Sequence, residues 1–279
     1  MPAISLVICL HRERDLLAHL FRHAASCFDD LVVVHDGPDT TGVKAIVEAA
    51  GGRFFERPRA FQQEPHWPFA WEQARHDWIL RLDADEFPST ELKAWLQEFR
   101  RAPEPPPEIS GYTCLWPLWD GRRAVTRRWP DGRNFLFHKQ RIRFVGMVEM
   151  TPVPDGDWLP LNHILCHQPQ RKSYGTRNVL FRKQAYRWRR VVALSLLRPV
   201  AELNCWRWHS EEWPSPWKYI RRHPLRHGFK SLVWFPLCQF KDMVRAEEFP
   251  RPSACLNPGL HHFLLGLAIW REQRRQPKP

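Results

Sequence analysis

The sequence predicts an α/β domain with a mostly parallel mixed sheet and helices on both faces. A basic, aromatic-rich helical region follows it. Three observations carry this. Short apolar runs rich in β-branched residues alternate with segments of helical spacing through residues 4–100. Two of the runs end in aspartates, at Asp36 and at Asp83-Ala84-Asp85. From about residue 205 onward Trp, Pro and Arg dominate, and two apolar helical segments follow.

The elements follow in order. Ile4–Leu10 is a continuous apolar run, as a strand buried on both faces requires. Arg14–Ala25 places Leu16, Leu17, Leu20 and Phe21 at helical spacing. Leu31–Val34 is a second buried strand leading into His35-Asp36-Gly37-Pro38. Thr41 is placed to cap a helix over Gly42–Ala50, which stops at Gly51-Gly52. Arg53–Glu56 reads as a short strand, Trp67–His76 as a helix and Trp78–Leu82 as a strand. Ser89 or Thr90 then caps a helix through Arg100. The proline-rich Ala102–Glu108 forms an extended connector. Gly111–Trp119, Ala124–Arg128, Asn134–His138 and Ile142–Val148 read as short strands between turns. Ser173–Leu197, Phe229–Val244 and Leu260–Arg271 read as helices.

A chain of 279 residues holds one large domain with an appendage, or two small ones. The boundary is expected near residue 200, giving an α/β domain over 1–200 and a helical region over 201–279. An apolar content of 43% is enough for a core that does not lean on disulfides. The seven Cys are scattered without a CxxC pair, as expected of reduced thiols in a cytoplasmic protein. The N-terminal apolar run reads as a strand rather than a signal peptide. No segment reaches the roughly 20 apolar residues of a membrane-spanning helix. A net charge of +12 favours an anionic partner: nucleic acid, acidic membrane or a phosphate-bearing substrate.

The strongest chemical feature is Trp78–Glu86, an apolar strand that delivers Asp83 and Asp85 onto one loop. A divalent cation that binds a diphosphate needs one or two carboxylates and open positions for phosphate oxygens. An acidic turn at a helix start would also account for these residues taken alone. Their place in a βα series, with Asp36 at another strand end, favours the binding role, because such sheets bind ligands at the carboxyl ends of their strands.

The segment His66–Glu86 resembles the aspartate-motif region of family 2 glycosyltransferases, which have the GT-A fold. It is nearest the branch that includes lipopolysaccharide-core glucosyltransferases. Ile4–Asp15 resembles that family's first strand and turn, and Leu31–Gly42 its second strand. Arg133–Phe137 and Arg143–Gly146 resemble its later strand motif. The resemblance spans roughly residues 3–190. It implies sugar transfer from a nucleotide-diphosphate sugar to a saccharide or glycolipid, with inversion. It implies donor binding by Leu10, Glu13, Asp36 and Asp83, with Asp36 on the base. It implies Mn²⁺ or Mg²⁺ held by Asp85, with His167 reaching the metal or diphosphate.

The chain departs from that branch at Trp67-Pro68, where Arg-Asn is usual, and at Val148-Glu149-Met150, where Val-His-Glu is often found. Glu149 is the candidate catalytic base and Glu86 the alternative. His163 and His167 are four apart, but Leu161-Asn162 and Gln168-Pro169 argue against a helix between them. The acid-free stretch 171–190 interleaves Arg and Lys with aromatics, and suits a diphosphate, an anionic acceptor, a nucleic-acid surface with stacking aromatics or a solvated helix face. The mixed basic and apolar segments from 221 onward suit a peripheral membrane contact on the cytoplasmic side, or packing against the catalytic domain. The competing function is a polyanion- or nucleic-acid-binding protein with an inert α/β domain. No helix-turn-helix, zinc-finger or RNP-type motif supports it.

Overall fold

A computed structural model describes residues 1–11, 13–117, 132–168, 183–245 and 252–275. The expected strand Ala124–Arg128 and residues 171–182 of the basic stretch lie outside these. The chain forms two compact units: Met1–Gly146 with Met150–Gln170, and Met147–Glu149 with Arg171–Pro279. They divide near residue 170, earlier than the expected boundary at 200.

The first unit opens with β1 (Ile4–Leu10), α1 (Arg14–Ala24), β2 (Asp30–Asp36), α2 (Val43–Ala49) and β3 (Arg53–Arg57). A 3₁₀ turn (Glu64–His66), α3 (Trp67–Gln73), β4 (Trp78–Arg81), β5 (Glu86–Pro88) and α4 (Thr90–Arg101) follow. The remaining strands are β6 (Ile109–Leu115), β7 (Arg133–His138), β8 (Ile142–Arg143), β9 (Val153–Pro154) and β10 (Asp157–His167). Eight strands form one sheet in the order β3-β2-β1-β4-β7-β6-β10-β5. β3, β2, β1 and β4 are mutually parallel, β6 runs parallel to β10, and β7 and β5 run against their neighbours. The predicted α/β class is therefore the observed one.

All seven residues of β1 are buried, which is why its sequence is apolar rather than alternating except at Ser5, whose hydroxyl donates to Asp30 Oδ2 at 2.8 Å. Ile4, Leu6, Ile8 and Leu10 join a core with Leu17 and Leu20 of α1, Val43 and Val47 of α2, and Leu92 and Leu96 of α4. Each such side chain contributes about 1.5–3 kcal/mol by leaving water. Trp67 and Trp71 of α3 pack instead with Phe137 of β7 and Phe144. The Trp67-Pro68 departure is thus a packing feature: both residues are buried at the start of α3, and the Arg81 guanidinium lies 4.2 Å from the Trp67 ring.

Two local expectations change. Asp39, not Thr41, orders the start of α2: its carboxylate accepts the N–H groups of Thr41, Gly42 and Lys44. Ile142–Val148 is a strand only at Ile142–Arg143, which pairs with β9. The Ser89 cap is as expected, its hydroxyl accepting the Leu92 N–H at 3.2 Å.

The second unit contains α5 (Lys183–Leu197), α6 (Ser215–Arg222), α7 (Pro224–Arg245) and α8 (Pro252–Arg275). α7 and α8 pack along their lengths, and α5 packs on α8. This packing places α5 in the second unit. Close approach depends on glycines: a Cβ on Gly266 would lie 2.4 Å from the Pro224 carbonyl oxygen, and one on Gly259 2.6 Å from that of Ser231. No described helix is long and apolar enough to cross a membrane.

Candidate functional site

Chain order explains where a site can form. β2 and β3 extend from one side of β1 and β4 returns to the other, so the strand order reverses at the β1–β4 pair. The carboxyl ends of strands flanking such a reversal leave a crevice. Asp36 ends β2, and Asp83–Glu86 follows β4.

The acidic turn closes on itself: the Asp83 N–H donates to Glu86 Oε2 at 2.8 Å, and the Glu86 N–H to the Asp83 carbonyl at 3.0 Å. Glu86 is fully buried, and its carboxyl is anchored by Arg133 at the start of β7, Nε to Oε1 3.1 Å and Nη2 to Oε2 3.2 Å. Arg133 Nη2 also lies 2.9 Å from Asp83 Oδ2. Burial raises the Glu86 carboxyl above its ordinary value, against the opposing charge of Arg133. Burial would lower the Arg133 guanidinium, but Asp83 and Glu86 outweigh it and hold it above its ordinary value. One arginine therefore ties the first and last acids of the turn together.

Asp85 points elsewhere. Its Oδ2 lies 3.5 Å from His167 Nε2, at the end of β10. Strand pairing sets this meeting, because His167 lies opposite Glu86 in the antiparallel β10–β5 ladder. The imidazole stacks on Trp116, with ring centroids 4.4 Å apart and planes 10° apart. Burial would lower the His167 imidazole, but Asp85, Glu86 and Asp83 together raise it above its ordinary value. His163 and His167 are not on a helix, as their flanking residues argued, but on strand β10, and the His163 ring lies 6.4 Å from that of Trp95.

Asp36 is buried and held by three groups. Its Oδ1 accepts the Ala60 N–H at 2.5 Å and lies 2.9 Å from His66 Nε2, while Oδ2 lies 3.2 Å from Arg59 Nη1. Burial alone would raise this carboxyl, but the His66 and Ala60 hydrogen bonds and the Arg59 charge hold it below its ordinary value. Gly37 follows with φ +94°, a conformation that suits glycine. The turn around Glu64–His66 joins the two acidic strand ends. His66 reaches Asp36, and the Gln63 amide nitrogen, in its hydrogen-bonding orientation, donates to Asp83 Oδ1 at 2.9 Å and the Cys9 carbonyl at 3.3 Å.

The structure thus brings Asp83, Asp85, Glu86 and His167 together, and ties Asp36 to them through Gln63–His66. Leu10 is buried at the carboxyl end of β1, and Glu13 Oε2 accepts the His11 N–H at 2.9 Å. Glu149 belongs to the second unit. It is exposed on a turn with φ +66°, an uncommon conformation for a residue with a side chain. Gln63, His66, Trp116 and Arg133 were not singled out as site residues by the sequence reading. Arg133 and His66 do lie inside the family-like segments, whereas Gln63 and Trp116 carry no local signal.

A divalent cation is compatible with this donor set. Asp85 and His167 offer an oxygen and a nitrogen side by side. No group of three or more His, Cys, Asp or Glu able to hold an ion was found among the described residues. A cation here would need oxygens from its phosphate ligand or from water, the usual arrangement for Mg²⁺.

Together these features define an α/β fold with its candidate site at the carboxyl ends of the strands. The chain belongs to glycosyl transferase family 2, whose family profile matches residues 5–152. It is therefore a glycosyltransferase of the GT-A type. Solved structures to which the chain is similar include S. aureus TarS 1–349 in complex with UDP. That match has 10% identity and a TM-score of 0.44, and covers 99% of this chain and 93% of that one. A second structure of S. aureus TarS 1–349 matches at 12% identity and a TM-score of 0.44, with the same 99% and 93% coverage. The CMP:2-keto-3-deoxy-manno-octonic acid synthetase complexed with CTP matches at 15% identity and a TM-score of 0.32. That match covers 49% of this chain and 71% of that one.

Proposed function

We propose that this glycosyltransferase moves a sugar from a nucleotide-diphosphate sugar to a saccharide or glycolipid acceptor, with inversion, using Mn²⁺ or Mg²⁺. The observation that carries the reading is the approach of His167 Nε2 to Asp85 Oδ2, 3.5 Å, beside the Asp83–Arg133 pair. Asp85 and His167 would hold the cation. Bound there, it would supply Lewis-acid stabilisation of the diphosphate leaving group.

The chain's own residues do the rest. Asp83, oriented by Arg133 and Gln63, presents a carboxylate toward the donor ribose. Asp36, oriented by His66, faces the base, while Leu10 and Glu13 border the same strand ends. Arg133 offsets the charge of Asp83 and buried Glu86, so the turn keeps its shape when an anionic ligand arrives. Glu149 is our candidate for the base that takes the acceptor hydroxyl proton as the new glycosidic bond forms. A lipopolysaccharide-core-like acceptor would place the work at the cytoplasmic face of a membrane.

Calorimetric titration with UDP, GDP, CDP, ADP and dTDP, each with Mn²⁺ and with EDTA, tests the reading. It expects one nucleotide to bind only with metal, and binding to be lost in Asp85→Ala. No binding by any of them sinks it. A donor-hydrolysis assay on Glu149→Gln, with nucleotide binding intact, tests the base.

A further inference from the structure

We propose that the exposed face of α7 docks on an anionic bilayer surface, with the helix lying in the interfacial plane. Phe229, Val233, Leu237 and Phe240 follow one another at helical steps and form one stripe, with Trp234 at its edge. Their exposures are 60%, 62%, 59% and 54%, and that of Trp234 is 60%. Single exposed apolar residues are ordinary, but a contiguous row of large ones marks an interaction surface. The stripe borders the face that α7 turns to its neighbour: the Phe229 ring meets Phe263 of α8 edge-on at 5.3 Å and remains 60% exposed. The helix–helix contact runs through Gly228, which meets Phe263 of α8, and through buried Ser231.

Charge identifies the occupant. Residues 215–241 contain six Lys and Arg and no Asp or Glu. Arg222, Arg226, Lys230 and Lys241 are exposed along and around the stripe. An anionic lipid surface satisfies both features, with headgroups at the cations and the acyl boundary at the aromatic and aliphatic side chains. Trp234 suits the interfacial depth. A polyanion would satisfy the cations and leave the stripe in water. A second copy of this face would set like charges against each other. Lys230 lies among the apolar positions, so the helix lies on a bilayer rather than crossing it.

The proposal does not depend on the transferase reading. The full chain is sedimented with phosphatidylcholine vesicles and with mixed phosphatidylcholine–phosphatidylglycerol vesicles, at low and high salt. Two variants are compared: Trp234→Ser/Leu237→Ser/Phe240→Ser, and Arg226→Glu/Lys230→Glu. All these side chains are exposed, and thermal unfolding checks that the fold is kept. The expected result is salt-sensitive binding to the mixed vesicles, about tenfold or more weaker in each variant, given about 1 kcal/mol per cation near such a surface. Metal-dependent nucleotide binding should be unchanged in both variants, which separates failure here from failure of the donor site. The proposal is overturned if the wild type does not bind mixed vesicles, or if the variants bind them equally well. Concentration-dependent dimers abolished by the apolar variant would assign the face to a second copy. Heparin binding without vesicle binding would assign it to a polyanion. Either also overturns the proposal.

Discussion

His167 lies flat against Trp116, with ring centroids 4.4 Å apart and ring planes 10° apart, and its Nε2 faces Asp85 Oδ2 at 3.5 Å. The indole fixes the orientation of the imidazole, so the direction of its ring nitrogen is set before any ligand arrives. Replacing Trp116 by Ala should leave the acids in place and free the ring. By analogy with other groups that orient metal ligands, metal-dependent nucleotide affinity should fall about 10–100-fold. Calorimetry on Trp116→Ala measures this, and an unchanged affinity would remove the imidazole from the donor site.

The two aspartates of the turn should separate in their effects on stability. Asp85 is partly exposed and meets His167, whereas Asp83 is held by Arg133 and by Gln63. Asp85→Ala should abolish metal-dependent nucleotide binding while lowering unfolding free energy less than Asp83→Ala, because Asp85 meets the His167 imidazole whereas Asp83 faces the Arg133 cation. Asp83→Ala should weaken binding and also destabilise the fold, because it removes one of the carboxylates facing Arg133. Urea unfolding alongside calorimetry distinguishes the two.

Arg133 should be the most sensitive position. Its removal leaves Glu86 buried without the cation that faces it. Breaking a buried pair in this way costs about 3–5 kcal/mol. Arg133→Ala should lower the unfolding free energy by that amount, as read by denaturant unfolding, and Arg133→Ala/Glu86→Leu should recover part of it without recovering nucleotide binding. Equal stability of Arg133→Ala and wild type would contradict the geometry.

In the second unit, acid should weaken the fold. Burial, with the neighbouring His262 next, lowers His261 to about 3, and burial with His227 lowers His262 to about 4. Both values lie below the ordinary 6.5, so the unfolded chain binds more protons. The stabilisation from keeping them neutral is complete above the ordinary value and is lost as pH falls from 6.5 toward 4 and 3. The slope is up to about 1.4 kcal/mol per pH unit for each histidine. His261→Phe, which retains a ring against Trp188, should flatten the slope between about pH 7.5 and about pH 5, as read by denaturant unfolding at each pH.

Much of the catalytic unit was legible before its structure. β1 occupies the predicted residues because a strand covered on both faces is apolar at nearly every position, its one polar residue, Ser5, being hydrogen-bonded to Asp30. The acids fell at strand ends because βα alternation puts the following turns there. β5 was not legible: Glu86-Phe87-Pro88 is too short to show a period and becomes a strand only because β10 pairs with it. Asp39 was missed as the helix-start residue because its carboxylate acts on backbone groups two to five residues away, not from the last position before α2.

The sequence by itself determined the α/β class, the aspartates at the strand ends and the helical character of the region beyond them. Each of these depends on periodicity or on neighbours along the chain, and both are written in residue order. Only the tertiary structure decided which acid is bound to a protein cation and which faces an imidazole. Arg133 and Asp83 are 50 positions apart, and Trp116 and His167 are 51. Such partners meet through sheet order and strand register, which arise from the simultaneous packing of the whole unit rather than from local pattern.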